Sequence, residues 1–300
     1  MVKQTPAQFF PRSAVRDGRA AAAAAVTVVA WSSAFVAIRW VGETYDPGPL
    51  SLGRLLVGSA ALGAMVHLRR CWVAPTRREW ALVALCGLAW FAVYNVALNA
   101  AEQRVDAGTT AMLVNVGPIL IALLAGALLG EGFPRWLLAG AGVAFGGAVL
   151  IGAATRQESA ADWLGVLLAL VAAGTYAVGV VAQKPVVRRL PALQVTWLAC
   201  SIGALACLPF LPALVADARS AAATATAGVV YLGLVPTAIA FSTWAYALAR
   251  TDAGRLGVTT YLVPPLTIGM AWLLLDETPA VLALVGGAVC LAGVALSRRR

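Results

Sequence analysis

Asn95 and Asn99 stand four residues apart in an apolar stretch. On a helix their amides share a face, where they can hydrogen-bond one solute or each other. Tyr94 precedes them. Asn115 comes three residues before Pro118, as Tyr261 comes three before Pro264. Proline interrupts the backbone ladder and frees a carbonyl, which in a bilayer survives where it is buried or lines a wet cavity. A kinked binding site and a merely bent scaffold helix both fit, and the first is preferred, with Pro118 and Pro264 as the kinks. Trp31, Trp90, Tyr176, Phe241, Trp244 and Tyr246 supply rings that can wall a planar solute or hold an ammonium group over a π face. Trp31, Tyr176 and Trp244 fall near mid-stretch, whereas Trp40, Trp72, Trp80, Trp136, Trp163 and Trp197 read as interfacial belt residues. Amides in apolar helices also serve as helix-to-helix glue. The candidate pathway is therefore Trp31, Tyr94, Asn95, Asn99, Asn115, Tyr176, Trp244 and Tyr261.

Other chemistries lack their residues. The single histidine, His67, sits beside Arg69 and Arg70 at the end of an apolar stretch, and Cys71, Cys86, Cys200, Cys207 and Cys290 show no CxxC spacing. No metal site, catalytic triad or cofactor is expected. No GxxxxGK[ST] loop occurs, so ATP-driven work by this chain alone is not expected. Asp106, Glu131, Asp252 and Glu277 fall at the ends of apolar stretches, which argues against a carboxylate relay deep in a membrane. Arg39 is expected to pair with Glu43 one turn later. Either Arg39 or Arg54 can snorkel to the surface, and a structural role is preferred over contact with a solute carboxylate.

The elements carrying these residues are helices. Of 300 residues, 61% are hydrophobic and 12% charged, against about 25% charged in a soluble domain. A span needs roughly 20 apolar residues, and hydropathy with turn residues marks ten of them: 20–41, 49–68, 80–100, 107–129, 135–153, 161–182, 192–212, 225–249, 254–275 and 279–297. The first is too long for a signal peptide. Arginine and lysine cluster in the tails and alternate loops, whereas the opposite loops hold only Arg104, Arg156 and Arg219. Both termini are therefore expected in the cytoplasm, as tails 1–19 and 298–300. The net charge of +9 anchors the chain to anionic lipid, and no basic face for nucleic acid is expected.

A shift of 146 positions aligns two blocks without a gap. Asp106-Ala107-Gly108 falls on Asp252-Ala253-Gly254, Pro118 on Pro264, Glu131 on Glu277, Gly140 on Gly286 and Gly147 on Gly293. Five helices per unit, an odd number, force the second copy to enter the membrane from the opposite side. The expected fold is all-α and integral to the membrane: ten helices as inverted repeats, 20–153 and 161–297, around a central cavity. Such repeats are the architecture of secondary transporters working by alternating access.

Trp31, Ser32, Ser33 and Phe35, then Arg54, then Asp106-Ala107-Gly108 through Pro118 to Glu131 and its copy through Pro264 to Glu277, resemble the drug/metabolite transporter superfamily, in its ten-helix form with two EamA-type repeats. Within it the chain looks most like the YddG-type amino acid exporters. The resemblance implies a cavity lined mainly by helices 1, 3, 4, 6, 8 and 9, and export of small metabolites, amino acids including aromatic ones first. A bacterial-type inner membrane, a small-molecule substrate and a monomer or weak dimer are expected. Alternatives are a sugar-phosphate, nucleotide-sugar or drug carrier of the same fold and, in another class, a membrane scaffold or intramembrane enzyme.

Overall fold

The computed structural model describes residues 18–129, 135–156, 162–250, 256 and 259–296. Glu131, Asp252-Ala253-Gly254 and most of both tails lie outside the described residues. The helices are α1 (Gly18–Val41), α2 (Pro47–Arg69), α3 (Arg77–Glu102), α4 (Ala107–Leu128), α5 (Arg135–Arg156), α6 (Asp162–Val186), α7 (Ala192–Ala206, extended by Leu208–Ser220), α8 (Ala223–Leu248), α9 (Thr260–Leu275) and α10 (Val281–Leu296). Six are long and apolar enough to cross a membrane alone. The two parts of α7 meet at 52°, where a straight helix over 192–212 was expected, and α5, α9 and α10 contribute shorter apolar stretches.

Local chemistry sets the starts. Pro47 and Pro49 open α2, where a missing N–H costs nothing. Thr76 and Glu79 form a reciprocal capping box at α3. Asp106 Oδ1 accepts the Thr109 backbone N–H at 2.8 Å and caps α4.

Three features carry the duplication into geometry. First, α3 and α8 each contain a π-helical segment, Gly87–Val93 and Gly233–Ile239, at the 146-residue offset; such segments re-aim side chains within a helix. Second, α4 breaks after Val114 and restarts at Gly117, while α9 passes from a 3₁₀ turn at Thr260–Leu262 to α-helix at Val263. Pro118 and Pro264 fall in the first turn of the restarted helices, so they start helices rather than kink intact ones. Third, α5 and α10 pack through small residues. A methyl on Gly293 would lie 2.7 Å from the Gly140 carbonyl oxygen, and one on Gly147 would lie 2.6 Å from that of Gly286. Between them Cys290 Sγ donates to the Ala144 carbonyl at 3.1 Å. Along this contact one number climbs as the other falls, so these equivalent helices run antiparallel. Each contact also maps onto the other when the repeats are exchanged, as a two-fold axis requires. The repeats are inverted, and Ala144 and Cys290 meet at the axis.

Candidate functional site

Between the repeats lies a cavity of about 60 Å³, room for a few waters. Its walls are mainly apolar, with six aromatic rings drawn from both halves. Trp31 on α1 packs against Phe241 on α8 at 5.5 Å between centroids, and Trp90 on α3 against Phe241 at 4.9 Å and Tyr176 on α6 at 5.1 Å. Tyr94 completes this wall.

The two helix breaks supply polar groups. Asn115 ends the first part of α4, and its Nδ2 donates to the Thr260 carbonyl at 2.7 Å, so the interruptions of α4 and α9 meet across the axis. Asn115 Oδ1 is buried and accepts no hydrogen bond among the described residues. Pro118 and Thr260 also face the cavity.

Of the residues expected on the pathway, Trp31, Tyr94, Asn115 and Tyr176 line this cavity, with Pro118. The rest stand behind its walls. Asn95 Nδ2 donates to the Phe91 carbonyl at 2.7 Å, within the π-helical part of its own helix. Asn99 Nδ2 donates to Ser51 Oγ at 2.9 Å, joining α3 to α2. Trp244 lies 5.1 Å behind Trp31, and Tyr261 packs beside Ile119 and Ala144. Pro264 is buried outside the lining. Tyr246 lies under the Arg250 guanidinium at 3.5 Å, away from the cage.

Two arginines depart from expectation. Arg54 is not peripheral: it is 3% exposed and faces the cavity, because Pro47 starts α2 early enough to carry position 54 roughly two turns inside the helix. Arg39 pairs not with Glu43 but with Glu277 on the other repeat, Nε to Oε1 2.6 Å, and its Nη1 donates to the Glu102 carbonyl at 2.6 Å. Glu102, the last residue of α3, is 1% exposed, and its carboxyl oxygens have no hydrogen-bond partner among the described residues. Its position at a helix end hid this burial from the sequence. Asp106, in the turn after α3, belongs to the same cluster, and burial raises its carboxyl above the usual range despite the bond from the Thr109 backbone N–H.

At the other end of the bundle Arg189 pairs with Glu79, Nε to Oε1 2.6 Å, again joining one repeat to the other. Among the described residues no group of three or more metal-binding side chains converges.

The fold and its duplication match a known family. The EamA-like transporter family matches over residues 18–153 and again over 163–299, and the chain belongs to that family. It is a membrane transporter and not an enzyme. It is 41% identical over 92% of both chains to a probable terminal-alkyne amino-acid exporter of Streptantibioticus cattleyicolor. It is 33% identical to an uncharacterized transporter of Bacillus subtilis, over 88% of this chain and 86% of that one. A probable amino-acid metabolite efflux pump of Salmonella typhimurium is 25% identical over 90% of this chain and 92% of its own. A solved crystal structure superposes with a TM-score of 0.66 at 22% identity, over 94% of this chain and 96% of that one, and shows the same fold.

Proposed function

We propose that the protein exports α-amino acids, aromatic ones among them, from the cytoplasm by alternating access. The observation that carries this reading is a cage of rings drawn from both repeats around a cavity that also presents an arginine and an amide oxygen. Such a site offers an apolar wall for a side chain, π faces for an ammonium and a cation for a carboxylate. The names of the relatives in Streptantibioticus and Salmonella support the same substrate class. On this reading Trp31, Tyr94, Asn115 and Tyr176 touch the solute. Asn95, Asn99, Trp244 and Tyr261 hold the walls, and the breaks at Pro118 and Pro264 let the halves move.

The repeats run over 20–153 and 161–297, joined to short tails 1–19 and 298–300 on the cytoplasmic face of a bacterial inner membrane. The distribution of arginine and lysine supports that orientation. Arg39 and Glu277 then stand at the outer end and Glu79 and Arg189 at the inner. Purified protein in liposomes loaded with radiolabelled amino acids tests the reading: efflux of phenylalanine, tyrosine or tryptophan well above protein-free vesicles is expected, and no acceleration for any amino acid overturns it.

A further inference from the structure

We propose that Arg54 is the anchor for the carboxylate of the transported solute; the proposal deepens the amino-acid reading above and rests on it for the choice of probe. Arg54 is buried in the wall of the cavity, and among the described residues no acidic side chain pairs with it. Its Nε and Nη2 approach Thr237 Oγ1 at 3.4 and 3.3 Å, and Nη1 has no hydrogen-bond partner among the described residues. The Thr237 hydroxyl in turn donates to the Leu232 carbonyl at 2.8 Å, across the π-helical segment of α8. One oxygen at long range does not satisfy a five-donor fork. A buried cation so poorly matched costs several kcal/mol, and a carboxylate bound bidentately would offset that cost.

The duplicated fold supplies an internal control. A methyl on Gly233 would lie 2.8 Å from the Arg54 carbonyl oxygen, and one on Gly87, its counterpart, would lie 2.7 Å from the Ala199 carbonyl oxygen. Likewise a methyl on Gly58 would lie 3.2 Å from the Gly233 oxygen, and one on Gly203 3.2 Å from the Gly87 oxygen. By these paired contacts Ala199 occupies in the second repeat the place of Arg54 in the first, and Phe91 the place of Thr237. Both are fully buried. The same helix crossing is thus built once with alanine and phenylalanine and once with arginine and threonine. Packing does not require a cation there, and the copy that has one directs it into the cavity. Asn115 Oδ1, an acceptor on the same cavity without a partner among the described residues, suits the other end of a zwitterion.

The test compares, in proteoliposomes, flux of phenylalanine and of phenethylamine, which keeps the ring and the ammonium but lacks the carboxylate. Wild-type protein is expected to carry phenylalanine, with phenethylamine competing poorly. Arg54→Gln should raise the KM for phenylalanine about ten- to a hundredfold, the worth of one charge-assisted contact, and erase the preference over phenethylamine. Arg54→Lys should keep part of it. Arg54→Gln with an unchanged KM and preference overturns the anchor while leaving amino-acid export standing. Wild type that carries no amino acid but carries phenylacetate in an Arg54-dependent way sinks the export reading and keeps the anchor. Competition on the wild type needs no variant to fold: phenethylamine competing as well as phenylalanine overturns the proposal.

Discussion

Arg39 Nε lies 2.6 Å from Glu277 Oε1, joining the end of α1 in one repeat to the end of α9 in the other. At the opposite end Arg189 and Glu79 join the repeats again. Alternating access requires one of these ties to part while the other holds.

Neutralising the two ties is therefore expected to act in opposite directions. Glu277→Gln should increase access to the cavity from the Arg39 end, and Glu79→Gln from the Arg189 end, each read by labelling a single cavity cysteine with a membrane-impermeant thiol reagent. Both pairs are partly solvated, so water and salt screen them and access should change only severalfold. Exchanging Arg39 and Glu277 for one another should restore most of the wild-type pattern. If both neutralisations shift access the same way, the ties are not gates.

Thr237→Val removes the hydroxyl that approaches the Arg54 fork while keeping the shape of the side chain. A guanidinium without this partner should move, and the KM for phenylalanine should rise about three- to tenfold, the worth of one hydrogen bond of about 1 kcal/mol. Thr237→Ser should stay near wild type. Equal KM values for the valine and serine variants would separate Thr237 from the site.

Gly293→Val places a branched side chain where even a methyl would lie 2.4 Å from the Ala144 backbone nitrogen. Backbone cannot yield as a flexible side chain does. A loss of about 1–3 kcal/mol or more should appear as a lower thermal midpoint in detergent. Gly142→Ala, where nothing lies within 4 Å of an added methyl, should leave the midpoint unchanged or raise it slightly, since alanine favours the helix.

Burial raises the Asp106 carboxyl, so the folded protein binds its proton more tightly than the unfolded chain. The stability this provides is full below the unfolded value of about 3.9 and is lost as pH rises through the higher folded value. Asp106→Asn keeps a capping oxygen for Thr109 but does not titrate. Thermal midpoints measured from pH 4 to pH 8 should therefore move in favour of the asparagine variant as pH rises and then level off. A difference independent of pH would show that the carboxyl gains no proton on folding.

The sequence made the duplication legible because the matching residues are types with narrow uses. Pro118 and Pro264 mark two helix restarts, and Gly147, Gly286 and Gly293, the last against the Gly140 carbonyl, mark a crossing that admits no side chain. Trp31, Tyr94, Asn115 and Tyr176 could be chosen because polar or aromatic groups in the middle of an apolar stretch need a reason to be there. What stayed hidden depends on the direction in which a helix faces. Asn95 and Asn99 share a helix face by spacing, yet the π-helical segment before them and the approach of α2 turn both amides to backbone and to Ser51. Arg54 looked interfacial because it lies near the start of α2. Only the packing of that helix against α8 shows that it is buried, and Arg39 finds its acid 238 residues away in sequence.

Alternating access requires a cavity between the repeats that opens to each side in turn. Val114→Cys, placed on the cavity wall in a chain whose five native cysteines are replaced, should react with an impermeant thiol reagent applied to either face of oriented vesicles, and phenylalanine should slow both reactions. Labelling from one face only, unchanged by phenylalanine, would contradict it.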